Sequence, residues 1–97
     1  MDLTFFCNNK ICPICGYMGL EGMPYSEENG IFYGNHIICS CCGFQFGFHD
    51  DPREQRQNLM KKWQFNWIKS GCKWWSPNPL PMDWNPGEQL KNINIFI

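Results

Sequence analysis

Apolar positions change period along the chain. Phe44, Phe46 and Phe48 alternate with Gln45 and Gly47 at the two-residue spacing of a strand. The apolar pair Ile37-Ile38 lies just upstream, so a short β-hairpin is expected around residues 37–48. From Pro52 onward the spacing becomes helical. Asp51 is placed to cap, Pro52 suits the first helical position, and Glu54 completes a capping box with Asp51. The helix should run to about Ser70, with Gly71 as its stop. Leu59, Met60, Trp63 and Trp67 fall within roughly 100 degrees of one another on a helical wheel, one core-facing stripe, and Phe65 points away from it.

The remainder is less periodic. Residues 19–34 hold four glycines, a proline and the acidic pair Glu27-Glu28, and are expected as a loop. Proline at positions 77, 79 and 81 forces an extended path over residues 76–81, because each ring fixes its own backbone and restricts its predecessor. Asn85-Pro86-Gly87-Glu88 repeats the cap, proline and acid pattern, predicting a short helix over residues 86–91. Residues 92–97 alternate like a terminal strand.

A repeat crosses these boundaries. Ile11-Cys12-Pro13-Ile14-Cys15-Gly16-Tyr17 and Ile38-Cys39-Ser40-Cys41-Cys42-Gly43-Phe44 both read Ile-Cys-x-x-Cys-Gly-aromatic. Two Cys-x-x-Cys turns are what a tetrahedral zinc site requires, since residues three apart on a tight turn present both sulfurs to one ion. The glycine after each pair supplies the left-handed backbone that lets the turn reverse while its amides face the sulfurs. The expected ligands are Cys12, Cys15, Cys39 and Cys42, with Cys41, His36 and His49 as alternatives for a position. Four thiolates leave no open coordination site, so the metal is expected to be structural rather than catalytic. The spacing also suits iron, and the first knuckle resembles those of rubredoxins, which carry electrons. The Trp-rich half beyond Arg53 has no counterpart there.

Composition narrows the class. At 97 residues the chain is expected to be a single domain, with residues 1–50 as the ribbon half, 51–71 as the helix and 72–97 as a Trp- and Pro-rich tail. The fold class is therefore a small α+β zinc ribbon, with a short hairpin, one main helix and an extended tail. A domain this small buries a limited fraction of its surface, so a metal would add to its core. Eight basic against nine acidic residues disfavour a nucleic-acid binder driven by phosphate contacts. No signal-peptide pattern and no membrane-length apolar run is present, and seven cysteines without an export signal point to a metal site in a reducing cytoplasm. Cys7 and Cys72 are expected to be free thiols. His49-Asp50-Asp51 near Cys41 lacks the spacing of a catalytic set, so no enzyme is expected.

Cys12-Pro13-Ile14-Cys15-Gly16-Tyr17, Cys39-Ser40-Cys41-Cys42-Gly43-Phe44-Gln45-Phe46-Gly47, Gly71-Cys72-Lys73-Trp74-Trp75-Ser76 and the segment from Asp83 to Leu90 together resemble a bacterial family of small cysteine-rich proteins related to the CPCC type. Ser40 stands where that pattern usually has proline. Similar small families are often encoded beside secreted toxins, so the resemblance implies protein–protein binding, most specifically an immunity protein that neutralises a toxin. The expected anchors are Phe65, Trp74, Trp75 and Trp84, with Glu27, Glu28, Asp50 and Asp51 facing a basic partner. The alternative is a nucleic-acid-binding ribbon using Arg53, Arg56, Lys61, Lys62, Lys69 and Lys73.

Overall fold

A computed structural model describes residues 2–97. After a 3-10 turn over Thr4–Cys7, the first strands depend on Asn29-Gly30, which take φ of 54° and 81°. Two consecutive positive-φ residues build the tight turn whose twist matches that of paired strands. The turn joins β1 (Tyr25–Glu28) to β2 (Ile31–Gly34), antiparallel, with Tyr25 opposite Gly34 and Glu28 opposite Ile31. This hairpin occupies the stretch expected as a loop. Only Tyr25 of β1 is buried, so no apolar alternation marked the strand, and turn chemistry set it instead.

The hairpin expected at residues 37–48 is reduced to one bridge, Ile38 with Gln45. Its ladder consists of Cys39 N–H to Phe44 O (3.0 Å), Phe46 N–H to Ile37 O (3.1 Å) and His36 N–H to Phe46 O (2.8 Å). Phe44 and Phe46 are fully buried, but Phe48 is exposed. The alternation breaks at Gly47, whose φ is 95°. There the chain turns against the backbone of Gly34, so closely that a side chain on Gly34 would collide with the Gly47 amide.

The main helix starts later than its sequence suggests. Pro52 has ψ 154°, an extended value, so it precedes the helix rather than opening it. A 3-10 turn over Arg53–Gln55 leads into α1 (Arg56–Lys69), and no side chain caps either start. The expected Asp51–Glu54 capping box is therefore absent. The predicted stop does form: Gly71 has φ 97°, its amide bonds Ile68 O at 3.0 Å, and Cys72 N–H bonds Trp67 O at 2.9 Å. That pair of bonds satisfies carbonyls the helix end leaves open. Met60 and Trp67 are buried, Leu59 and Trp63 half-buried, and Phe65 faces outward.

The tail runs over the surface, with a bend at residues 76–78 in place of a fully extended path. Its short helix α2 (Pro86–Leu90) is capped as expected, the Asn85 side chain accepting from Glu88 N–H at 3.1 Å. The terminal strand is not formed. Lys91–Ile93 make a 3-10 turn, Asn94 is left-handed at φ 63°, and Ile95 N–H returns to Leu90 O at 3.0 Å. That cap ends the helix by reversing the chain, which leaves the last residues without a strand partner.

Tyr25, Phe44, Phe46, Met60, Leu90, Ile14 and the cysteines form one continuous core. Phe44 meets Tyr25's neighbour Phe46 at 5.4 Å between ring centroids and Trp63 at 5.4 Å. The radius of gyration is 12.7 Å, close to the roughly 12.5 Å expected of a compact chain this long.

Candidate metal centre

Each knuckle is built by the same two backbone bonds. Gly16 N–H bonds Cys12 O and Gly43 N–H bonds Cys39 O, both at 2.8 Å; Cys12 N–H bonds Tyr17 O at 2.9 Å and Cys39 N–H bonds Phe44 O at 3.0 Å. Gly16 and Gly43 take φ of 83° and 78°, conformations that L side chains rarely adopt. Space forbids a side chain as well. A Cβ on Gly16 would strike the Gln89 carbonyl, and one on Gly43 would lie 2.6 Å from the Trp75 ring.

The two turns bring the sulfurs of Cys12, Cys15, Cys39 and Cys42 within 4.8 Å of one another, all buried. The closest cross-knuckle pairs are Cys12–Cys42 at 3.8 Å and Cys15–Cys39 at 3.7 Å. A tetrahedron of sulfurs at about 2.3 Å from a central ion has edges of about 3.8 Å. The two closest pairs match that edge, and these four cysteines could hold a metal ion. None of the seven cysteines is in a disulfide. Cys41 is buried beside the cluster but outside it, and neither His36 nor His49 joins it. The Nδ1 of His49 accepts from Gln45 N–H at 2.8 Å instead, and its ring lies on Trp63 at 4.5 Å.

Electrostatics favour a cation here. Burial pushes the thiols of Cys12, Cys15 and Cys42 upward, whereas Cys39, accepting from Cys12, Cys15 and Cys42, is held far below the ordinary thiol range. Burial opposes ionising four thiols together, and a divalent ion would offset that charge. The Ile14 amide points at the Cys12 sulfur from 3.4 Å, partly neutralising it.

Six other knuckle carbonyls are tied to the second half of the chain. Ile14 O accepts from Gln64 Nε2 (2.8 Å), Cys15 O from Gln89 Nε2 (3.0 Å) and Gly16 O from Asn92 Nδ2 (3.0 Å). Ser40 O accepts from Ser76 N–H and Cys41 O from Trp75 N–H, both at 2.9 Å, and Cys42 O from Trp63 Nε1 at 3.0 Å. Helix α1, the tail and α2 thus form a lid of donors over both turns. Gln64, Gln89 and Asn92 carried no sequence signal as site residues, since an amide side chain 50 or more residues from its partner has no local pattern.

The expected contact residues divide. Phe65 is 63% exposed and Trp75 is 56% exposed. Trp74 and Trp84 are half-buried; Trp74 meets Tyr17 at 5.4 Å and Trp84 at 5.7 Å, edge to face. Their indole N–H groups bond Asn78 O and Gln89 Oε1. Glu27, Glu28 and Asp51 are exposed.

Asp50 is not a surface acid. It is 1% exposed, and its carboxylate accepts from Tyr25 OH, from Gly47 N–H at 2.7 Å and from Arg56 Nε at 3.1 Å. Burial, then the Asp50 carboxylate, pushes the Tyr25 phenol up, so it stays protonated and donates. Arg56 is correspondingly buried, its Nη2 bonding Phe32 O at 2.9 Å, which removes it from any basic surface. A strong capping pattern around Asp51 and the absence of any apolar partner hid this network from the sequence.

The Bacillus subtilis (strain 168) protein YoaQ, described as uncharacterized, is 30% identical over 105 residues, covering 89% of this chain and 87% of YoaQ. The chain belongs to the same family as YoaQ. A second relative from that strain, the uncharacterized protein YozI, is 29% identical over 90 residues, covering 82% of this chain and 74% of YozI. No family profile matches the chain, and no solved structure is significantly similar to it. Among the described residues, no helix is long and apolar enough to cross a membrane.

Proposed function

We propose that this member of the YoaQ family is a zinc-ribbon protein that acts by binding another protein, and that the zinc serves structure rather than reaction. The closed cage of four buried sulfurs carries this reading. A tetrathiolate site leaves no coordination position for water or substrate, and soft sulfur donors in a tetrahedron favour zinc. Zinc contributes on the order of 10–16 kcal/mol of apparent binding free energy in small finger peptides, as much as an ordinary domain's whole stability. Large aromatic side chains left outside, Phe65 and Trp75, support a docking role.

The most specific form of the reading is an immunity protein, in which these aromatics and the acids Glu27, Glu28 and Asp51 cover a basic toxin surface. It rests on the resemblance to the CPCC type. Two measurements test the proposal. Elemental analysis of purified protein should give one zinc per chain; a red, iron-loaded protein would favour electron transfer instead. Co-expression with the product of an adjacent toxin-domain gene should yield a complex and protect cells, and no complex at micromolar concentration would defeat the immunity reading. A nucleic-acid role is weakened by Arg56, which lies inside the fold paired with Asp50.

A further inference from the structure

We infer that Gln89 is a positioning residue for the four-sulfur cluster, and that it couples the docking of α2 to metal occupancy. The inference rests on the metal reading above. Its amide makes three bonds at once. Nε2 donates to Cys15 O at 3.0 Å and to Cys41 Sγ at 3.3 Å, while Oε1 accepts from Trp84 Nε1 at 2.8 Å. An indole nitrogen only donates, so Trp84 fixes which end of the amide faces the knuckles.

One side chain therefore touches both knuckles. Cys15 is a ligand, and holding its carbonyl fixes the peptide plane that leads into Gly16. Cys41 sits between the ligands Cys39 and Cys42. The amide spans the seam that must close for four sulfurs to converge, and Asn92 holds the next carbonyl, Gly16 O. Contact at the backbone is equally close, because Gly16 lies directly against the Gln89 carbonyl.

Coupling follows from the size of α2. A helix of five residues has no stability of its own in water, so its docking depends on the surface beneath it. That surface is the first knuckle. If a docked α2 strengthens metal binding, then bound metal strengthens docking by the same factor. Metal release should then free the segment from Trp84 to Ile95.

The test uses the full chain, zinc ion as probe, and competition with a chromophoric chelator. Gln89→Ala and Gln89→Glu should each bind zinc about 10- to 100-fold more weakly, while Glu88→Ala, one residue away and exposed, should stay within about threefold of wild type. Gln89→Glu decides between positioning and space filling. It keeps the size and the acceptor for Trp84 but loses the donor to the knuckles. Hydrogen exchange at saturating zinc should show faster exchange of the Gln89 and Ile95 amides in Gln89→Glu, with the Cys39 amide still protected. Wild-type zinc affinity in Gln89→Glu, on a zinc-loaded wild-type background, overturns the coupling alone. A wild-type protein that takes up no stoichiometric metal overturns the coupling and the metal reading together.

Discussion

Replacing Arg56 with methionine should destabilise the protein by about 3–5 kcal/mol, because it leaves a carboxylate buried without its counter-charge. The size follows from the surroundings. Asp50 and Arg56 expose 1% and 10% of their side chains, so solvent screening does little for either partner. After the substitution Asp50 keeps Tyr25 OH and Gly47 N–H but loses the Arg56 ion pair, and Phe32 O loses a donor. For a chain of this length each kcal/mol moves Tm by about 4–5 °C, so a fall of roughly 12–25 °C is expected. Denaturation in excess zinc, monitored by tryptophan fluorescence, would measure it. The double variant Asp50→Leu/Arg56→Met should be less destabilised than the sum of the single variants, because removing both charges removes the unpaired one. Stability of Arg56→Met within 1 kcal/mol of wild type, or strict additivity in the cycle, would refute the reasoning and return Asp50 to the surface role its sequence suggested.

Cys15→Ser and Cys42→Ser should abolish stoichiometric metal and give poorly folded protein, whereas Cys72→Ser, buried but outside the cluster, should keep its metal and lose only about 1–2 kcal/mol; circular dichroism with elemental analysis distinguishes them. Metal affinity should fall as pH falls. Burial raises the thiols of Cys12, Cys15 and Cys42, so protons compete for the sulfurs, and the stability that metal confers at neutral pH is lost on acidification; a pH-independent affinity in chelator competition would contradict it. Gly30→Ala should cost about 1 kcal/mol, seen as a small drop in Tm. Its Cβ would meet open space, so the left-handed backbone is the sole source of strain.

The doubled Cys-x-x-Cys-Gly pattern was legible in the sequence because a metal knuckle is local. Ligand spacing, the turn glycine and the burial of the sulfurs all belong to one short segment, and the two segments carry the same pattern. The end of α1 at Gly71 and the Asn85 cap of α2 were legible for the same reason: each is decided within one helical turn. Asn29-Gly30 was an equally local signal for the β1–β2 hairpin, obscured by the polar strand that precedes it.

Everything that joined distant segments was decided by tertiary structure. Asp50 reads as half of an acidic pair before a helix, yet hydrogen bonds from Tyr25, Gly47 and Arg56 make it a core residue, since a buried carboxylate is stable only where donors converge on it. Gln64, Gln89 and Asn92 are ordinary helix-region amides until the fold sets them against the knuckle carbonyls. Local chemistry chose the four sulfurs; only three-dimensional packing could choose the side chains that hold them in place, because a hydrogen bond depends on distance in space and leaves no period in the chain.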